Sequence, residues 1–299
     1  MEEGKLTVGV AMIAKNEMEF IARALDSVKD ADQIVVCDTG SNDNGETIRI
    51  AQEHGATVFD DYKWEDSFAK ARNHVKSKMT TDWILSLDCD EYIHDFSKVR
   101  EAVKLATEQG IRCVNVTQHA DDSSKQVNIF PRLFKNDPDI VWHGAAHNYL
   151  SVFGKDAGDV HLTYGFSLAH LSDPDRTLRI LQKAYDSKEA GAREKYYLAR
   201  EYYYRGRYKE CTRMAGEYVQ ESQFLMEKAD AFLMMARSYW AQGMGEDARD
   251  ACLQAIKINP NFKEAILFMS ELVWPKHSDQ WKRMAETADN SEVLFIRTQ

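Results

Sequence analysis

Residues 83–92 read WILSLDCDEY, an apolar run that ends in Asp88, Cys89, Asp90 and Glu91. Carboxylates this close repel one another and are costly beside a buried segment, so something must compensate them. Ligands of open parallel sheets bind beyond the carboxyl ends of the strands, and Asp88 and Asp90 stand at such an end. In extended chain, residues i and i+2 point the same way. The pair then offers a hard oxygen site for Mg²⁺ or Mn²⁺ that leaves positions open for substrate phosphates. A cation bridging a diphosphate neutralises it as a leaving group. The competing reading is a solvated acidic loop after a strand.

Three further segments fit the same site. CDTGSNDNGETI (37–48) puts Asp38 at the end of another apolar run, followed by a polar turn at Gly40, Ser41 and Asn42. AKNE (14–17) supplies Lys15 and Asn16, and ARN (71–73) supplies Arg72. The 37–48 loop is no calcium loop, because aligning Gly45 with the loop glycine leaves Gly40 at the first ligand and Ala51 where Glu is needed. The chain has no GxGxxG and no GxxxxGK[ST], which argues against dinucleotide and P-loop sites.

The elements that must position these residues alternate in type. LTVGVAMIA (6–14), QIVVCD (33–38), ATVFD (56–60) and DWILSLD (82–88) read as strands. Helices are expected over about 17–28, 45–54 (Ile48 and Ile50 inward) and 67–78. Short connections between alternating types imply parallel strands covered on both faces. IRCVNV (111–116) and QVNIFPRLF (126–134) read as edge strands of opposite direction.

Beyond Pro174 the texture becomes helical. LAREYYYRG (198–206) lies over MARSYWAQG (235–243) at an offset of 37, matching Ala199 with Ala236, Tyr202 with Tyr239 and Gly206 with Gly243. Helix, glycine turn, helix and a closing Pro260 is the tetratricopeptide pattern. Flanking helices over 178–190 and 262–273 complete a short solenoid. Charge shifts at the same place. Residues 1–172 carry 18 Lys+Arg against 28 Asp+Glu, and residues 173–299 carry 20 of each. Domains of 1–172 and 173–299 follow.

MIAKNE, VVCDTGSNDNGETIRIAQEHGA, FAKARN and DWILSLDCDE together resemble, in order and spacing, the inverting GT-A glycosyltransferases of family 2. The likeness is nearest to the bacterial branch of lipopolysaccharide-core glucosyltransferases and bacteriocin S-glycosyltransferases, some of which carry tetratricopeptide-like helices behind the catalytic domain. It is strong over 6–92, weaker over 126–172 and architectural beyond. It implies an α/β plus all-α chain: a GT-A (Rossmann-like) nucleotide-sugar domain, then a TPR-like helical solenoid. It implies a nucleotide-diphosphate sugar, a UDP-sugar by expectation, as donor. Asp38 would bind the base, Lys15 and Asn16 would line the nucleotide pocket, and Arg72 would touch base or ribose. Asp88, with Cys89 beside it, would touch the ribose or the metal. Asp90 would be the principal metal ligand, with His170 as a later one.

The family pattern places a carboxylate base near the end of a segment like FPRLFKNDPDIVWHGAAHNYL (130–150), where this chain has His147-Asn148. An amide is no base at neutral pH. His147, or Asp121 or Asp122 in HADDSSKQ (119–126), could take the proton, or a thiol acceptor could need little help. The missing carboxylate keeps open a catalytically inactive nucleotide-sugar-binding or scaffold protein. A nucleotidyltransferase is disfavoured, since no Gly-rich basic signature opens the chain.

The remaining features bound the setting. A net charge of −10 argues against general nucleic-acid binding. The basic stretch 193–213 reads either as a solvated helix surface or as a dock for an anionic acceptor. No apolar run is long enough to span a bilayer, and the acidic MEEGKLTVGV predicts no signal peptide. Five scattered cysteines without CxxC predict reduced thiols and a cytoplasmic protein. Acceptor, donor sugar and oligomeric state are not legible.

Overall fold

The run VGVAMIA forms strand β1 (Val8–Ala14), buried on nearly every residue, as a central strand covered on both sides should be. The computed structural model describes residues 6–121, 127–165 and 173–288. Within these, β1 pairs in parallel with β2 (Gln33–Asp38) and with β4 (Trp83–Ser86), and β2 pairs in parallel with β3 (Thr57–Phe59). Alternate side chains serve opposite faces. Val10, Met12, Trp83 and Leu85 join Leu25 of α1 (Ile21–Ser27) and Val99 and Val103 of α4 (Phe96–Glu108) in one core. Ala11, Val35 and Ile84 join Ala69 and Val75 of α3 (Phe68–Ser77) in the other. Burying each large aliphatic side chain here contributes about 1.5–3 kcal/mol.

The expected helices form with shifted ends. α1 starts at Ile21 rather than near Glu17, and α3 starts after Ser67, whose hydroxyl accepts from the Lys70 N–H. In α2 (Glu46–Glu53) the buried residues are Thr47 and Ala51, while Ile48 and Ile50 are only half-buried.

The second half of the sheet is mixed. β7 (Val127–Lys135) runs antiparallel to both β4 and β6 (Cys113–Ala120). β10 (His161–Tyr164) runs parallel to β6, and β5 (Glu91–Ile93) closes the far edge antiparallel to β10. Four inter-strand steps of ~4.8 Å therefore separate β4 from β5. Five residues reach at most ~17 Å even when fully extended, and these include a tight turn, with the Glu91 N–H bonded to the Asp88 carbonyl at 3.0 Å. The sheet must curl to bring β5 back toward β4. A small hairpin, β8 (Trp142–His143) with β9 (Tyr149–Leu150), packs on α3.

The chain divides into Met1–Pro174 and Asp175–Gln299. The second unit is helical: α5 (Arg176–Asp186), α6 (Ala192–Tyr204), α7 (Tyr208–Glu221), α8 (Leu225–Ala241), α9 (Gly245–Ile258), α10 (Lys263–Leu272) and α11 (Pro275–Thr287). From α5 onward each helix packs on the next, and the helix expected over 178–190 ends at Asp186, with a turn over 187–190 before α6. The repeat is physical. Gly206 (φ +68°) and Gly243 (φ +75°) end α6 and α8 in the left-handed region that glycine enters without strain. The Arg207 N–H bonds the Tyr202 carbonyl, and the Met244 N–H bonds the Tyr239 carbonyl. Fully buried Cys211 and Ala215 on α7 correspond, 37 residues on, to Ala248 and Cys252 on α9.

Candidate active site

The first cluster lies at the carboxyl ends of β1 and β2. Asp38, 5% exposed, accepts from the backbone N–H groups of Gly40 and Ser41 at 3.0 Å each and from the Ser41 hydroxyl. The carboxylate thus folds its own loop into a ring, and Gly40 at φ +103° completes it. Asn16 is locked to the same loop. Its N–H donates to Ser41 Oγ at 2.9 Å, and its amide exchanges two 2.7 Å bonds with Asn42. Asn16 holds φ +58°, a conformation that asparagine tolerates better than most residues. Lys15 beside it is exposed. The sequence-selected Lys15, Asn16 and Asp38 therefore share one preorganised polar rim.

The second cluster centres on Asp88, and it differs from expectation. Asp88 lies beyond the end of β4, and Cys89 and Asp90 occupy the turn between β4 and β5. The i, i+2 argument that aligned Asp88 with Asp90 therefore fails, because alternation holds only along a strand. Asp88 Oδ1 accepts from Arg72 Nη2 at 2.5 Å and Oδ2 from Arg132 Nη2 at 3.1 Å. Arg72, 8% exposed, also donates to Ser86 Oγ at 2.7 Å and lies 5.0 Å from the Trp142 ring centroid. Burial pushes the Asp88 carboxyl up, but the two guanidiniums outweigh it and hold it well below the usual carboxylate range. Asp88 is an anion between two cations.

Glu91 and Arg132 were not singled out by the sequence. Glu91, 2% exposed, accepts from the Asp88 N–H at 2.9 Å through Oε2. Its Oε1 accepts from Gln118 Nε2 at 2.6 Å and Arg132 Nη2 at 3.2 Å. Burial raises its carboxyl above the ordinary value despite Arg132. Arg132 is placed by a bulge: Val114 pairs with Leu133 and Asn115 with Pro131, leaving Arg132 as the extra residue on β7. Bulges re-aim side chains in this way. A pairing register cannot be read from FPRLF alone, which carries little signal for it.

The other expectations scatter. Cys89 is buried, its thiol contacts the Ile13 carbonyl, and burial raises its pKa. Cys37, Cys113, Cys211 and Cys252 are likewise buried, with thiols pushed up to about 12, so none is a ready nucleophile. His147 sits exposed between β8 and β9 at φ +51°. Asp121 pairs with Arg23 at 3.2 Å. Asp122 and His170 lie outside the described residues.

No group of three His, Cys, Asp or Glu converges as a metal cage among the described residues. The histidines nearest to one, His119 and His161, spend their facing nitrogens on each other at 2.7 Å, and His161 Nε2 bonds Asp159 at 2.6 Å. Asp88 bonds two arginines, and Asp90, two residues on, is half-exposed on the turn.

The basic stretch of the helical unit is largely neutralised internally. Arg193 pairs with Glu227, Lys195 with Glu217 and Glu221, Arg205 with Glu201 and Asp175, and Arg207 with Glu210. These four basic side chains are thus ion-paired, as on a solvated helix surface. No described helix is long and apolar enough to cross a membrane.

Comparison with known proteins agrees with this geometry. Residues 9–152 match the model for glycosyl transferase family 2. A TPR repeat-containing protein of Synechococcus elongatus is 34% identical over 143 residues, covering 47% of this chain and 34% of that protein. Glycosyltransferase SunS of Bacillus subtilis is 27% identical over 145 residues, again 47% and 34%. An uncharacterized glycosyltransferase of Rickettsia felis is 38% identical over 85 residues, 28% of this chain and 29% of that one. The matches span about a third of each relative's length. Among solved structures, residues 1–349 of TarS from S. aureus align over 94% of this chain and 87% of that one, at 11% identity and a TM-score of 0.40, too distant to carry an argument. Residues 9–152, which carry the curled mixed sheet and the polar loops at its strand ends, are thus similar to glycosyl transferase family 2, and a TPR-like helical unit follows them in the chain.

Proposed function

We propose that the chain is an inverting glycosyltransferase that takes a nucleotide-diphosphate sugar, a UDP-sugar, as donor. The observation that carries this reading is the Arg72–Asp88–Arg132 cluster, gathered at the carboxyl end of β4 within the family-matching segment. The acceptor heteroatom attacks the anomeric carbon as the bond to the diphosphate breaks. The acceptor loses its proton, and negative charge develops on the leaving diphosphate. Positioning and fixed electrostatics supply most of the acceleration.

The Asp38 loop, held rigid by its own hydrogen bonds, would receive the base, with Lys15 and Asn16 on its rim. Arg72 would meet the nucleotide. Asp88 acts through the two guanidiniums it orients, as a positioning residue. A divalent Mg²⁺ or Mn²⁺ would rest on Asp90 and would supply charge compensation for the diphosphate. His147 and Asp122 are the candidate proton acceptors. The acceptor is a saccharide or lipid-linked glycan, a peptide or a modified nucleic acid.

A panel of UDP-sugars with Mn²⁺, followed by UDP release with and without acceptor extracts, tests the reading. Turnover of at least one sugar supports it. Donor binding without any release, in every condition, would favour the inactive binding protein that Asn148 suggests.

A further inference from the structure

Arg132 carries more binding capacity than the protein uses. Its Nη2 serves Asp88 at 3.1 Å and Glu91 at 3.2 Å. Its Nη1 is buried and has no hydrogen-bond partner. Arg72 is less open, since Nη1 is spent on Ser86 and Nη2 on Asp88, leaving only Nε without one. A buried, charged donor left unmade is costly, and native proteins rarely keep one without a reason. The bulge at Arg132 and its two carboxylate partners hold the side chain beside the turn and keep it from reaching water. A guanidinium tied down at one nitrogen and unpaired at the other suits an anionic oxygen, and the planar fork matches phosphoryl geometry.

We propose that Arg132 contacts the diphosphate of the donor: Nη1 donates to a phosphoryl oxygen, while Asp88 and Glu91 fix the guanidinium through Nη2. When the anomeric C–O bond breaks, its electron pair stays on that diphosphate, and Arg132 stabilises the charge from a position set before the donor arrives. Gln118 completes the support by holding Glu91 Oε1 at 2.6 Å. This inference rests on the sugar-nucleotide reading above and adds a residue to it.

The test separates phosphate contact from general damage. UDP and uridine are titrated calorimetrically into the full chain, wild type and Arg132→Gln, with thermal melts to confirm folding. A phosphate contact predicts that wild type prefers UDP to uridine. Arg132→Gln should then lose about tenfold or more in UDP affinity, a typical loss for a charge-assisted bond, with uridine unchanged. Arg132→Lys keeps the charge without the fork and should fall between, and it decides the matter if the Gln variant fails to fold. Unchanged UDP affinity in the variants overturns the proposal, and so does an equal loss for UDP and uridine, which would mean that Arg132 only props the pocket. Wild-type protein that binds neither ligand overturns the sugar-nucleotide reading itself, a result visible before any variant is made.

Discussion

Each unit of the chain buries carboxylates, but they are compensated differently. In the first, Asp88 sits between two guanidiniums, and a second carboxyl group, Glu91, shares one of them. In the second, Asp230, fully buried on α8, accepts from the Tyr196 hydroxyl at 2.7 Å, and Glu227 accepts from the Tyr218 hydroxyl at 3.0 Å and from Arg193 at 3.3 Å. Phenols satisfy a carboxylate without adding charge and pack as core aromatics. Arginines add charge that a ligand can use. The arginine-rich arrangement at a strand end is what a binding site requires, whereas the phenol-rich arrangement between helices specifies packing.

The largest expected effect that would break this comparison is Asp88→Asn. It removes Arg72's carboxylate partner, leaves Arg132 with Glu91, and should cost about 3 kcal/mol in urea unfolding, together with loss of donor binding. If it stabilised the protein instead, Asp88 would be a strained metal ligand rather than a clamp. Tyr196→Phe is next. Removing the phenol donor from Asp230 should cost about 1–3 kcal/mol and leave turnover per folded molecule unchanged. A loss of turnover at full folding would give the helical cluster a role in chemistry. Tyr218→Phe should cost about 1 kcal/mol, because Arg193 still serves Glu227. The smallest effect is acidic. Asp61 is held at about 2 by hydrogen bonds from Lys78 and His74. Its folded pKa is depressed, so its contribution is present above the unfolded value of 3.8 and is lost as pH falls toward 2. Because this carboxylate is exposed, Asp61→Asn should flatten the acid limb of a stability–pH curve only slightly.

The sequence made some of this legible and hid the rest for physical reasons. β1, β2 and β4 were plain because strands buried on both faces are nearly continuous apolar runs. The 37-residue repeat was plain because Gly206 and Gly243 occupy equivalent left-handed turns. The three-residue β5 and four-residue β10 were missed, since so short a run carries no period of its own and exists only through pairing across the curl. Treating 88–90 as extended failed because the Asp88–Glu91 hydrogen bond closes a turn there. Arg132 escaped notice because it reaches Asp88 across 44 residues, through a bulge that only register reveals. In residues 193–213 the carboxylates that neutralise the basic side chains include distant ones, Asp175 and Glu227, which no local count includes.

The central claim is that the charged cluster around Asp88 serves a sugar nucleotide. Its most direct test is UDP release from a UDP-sugar panel by wild type and Asp88→Asn, run at a temperature where both are folded. The account predicts turnover of at least one sugar by wild type and a loss of more than about a hundredfold in the variant. Equal turnover by the two proteins would contradict it.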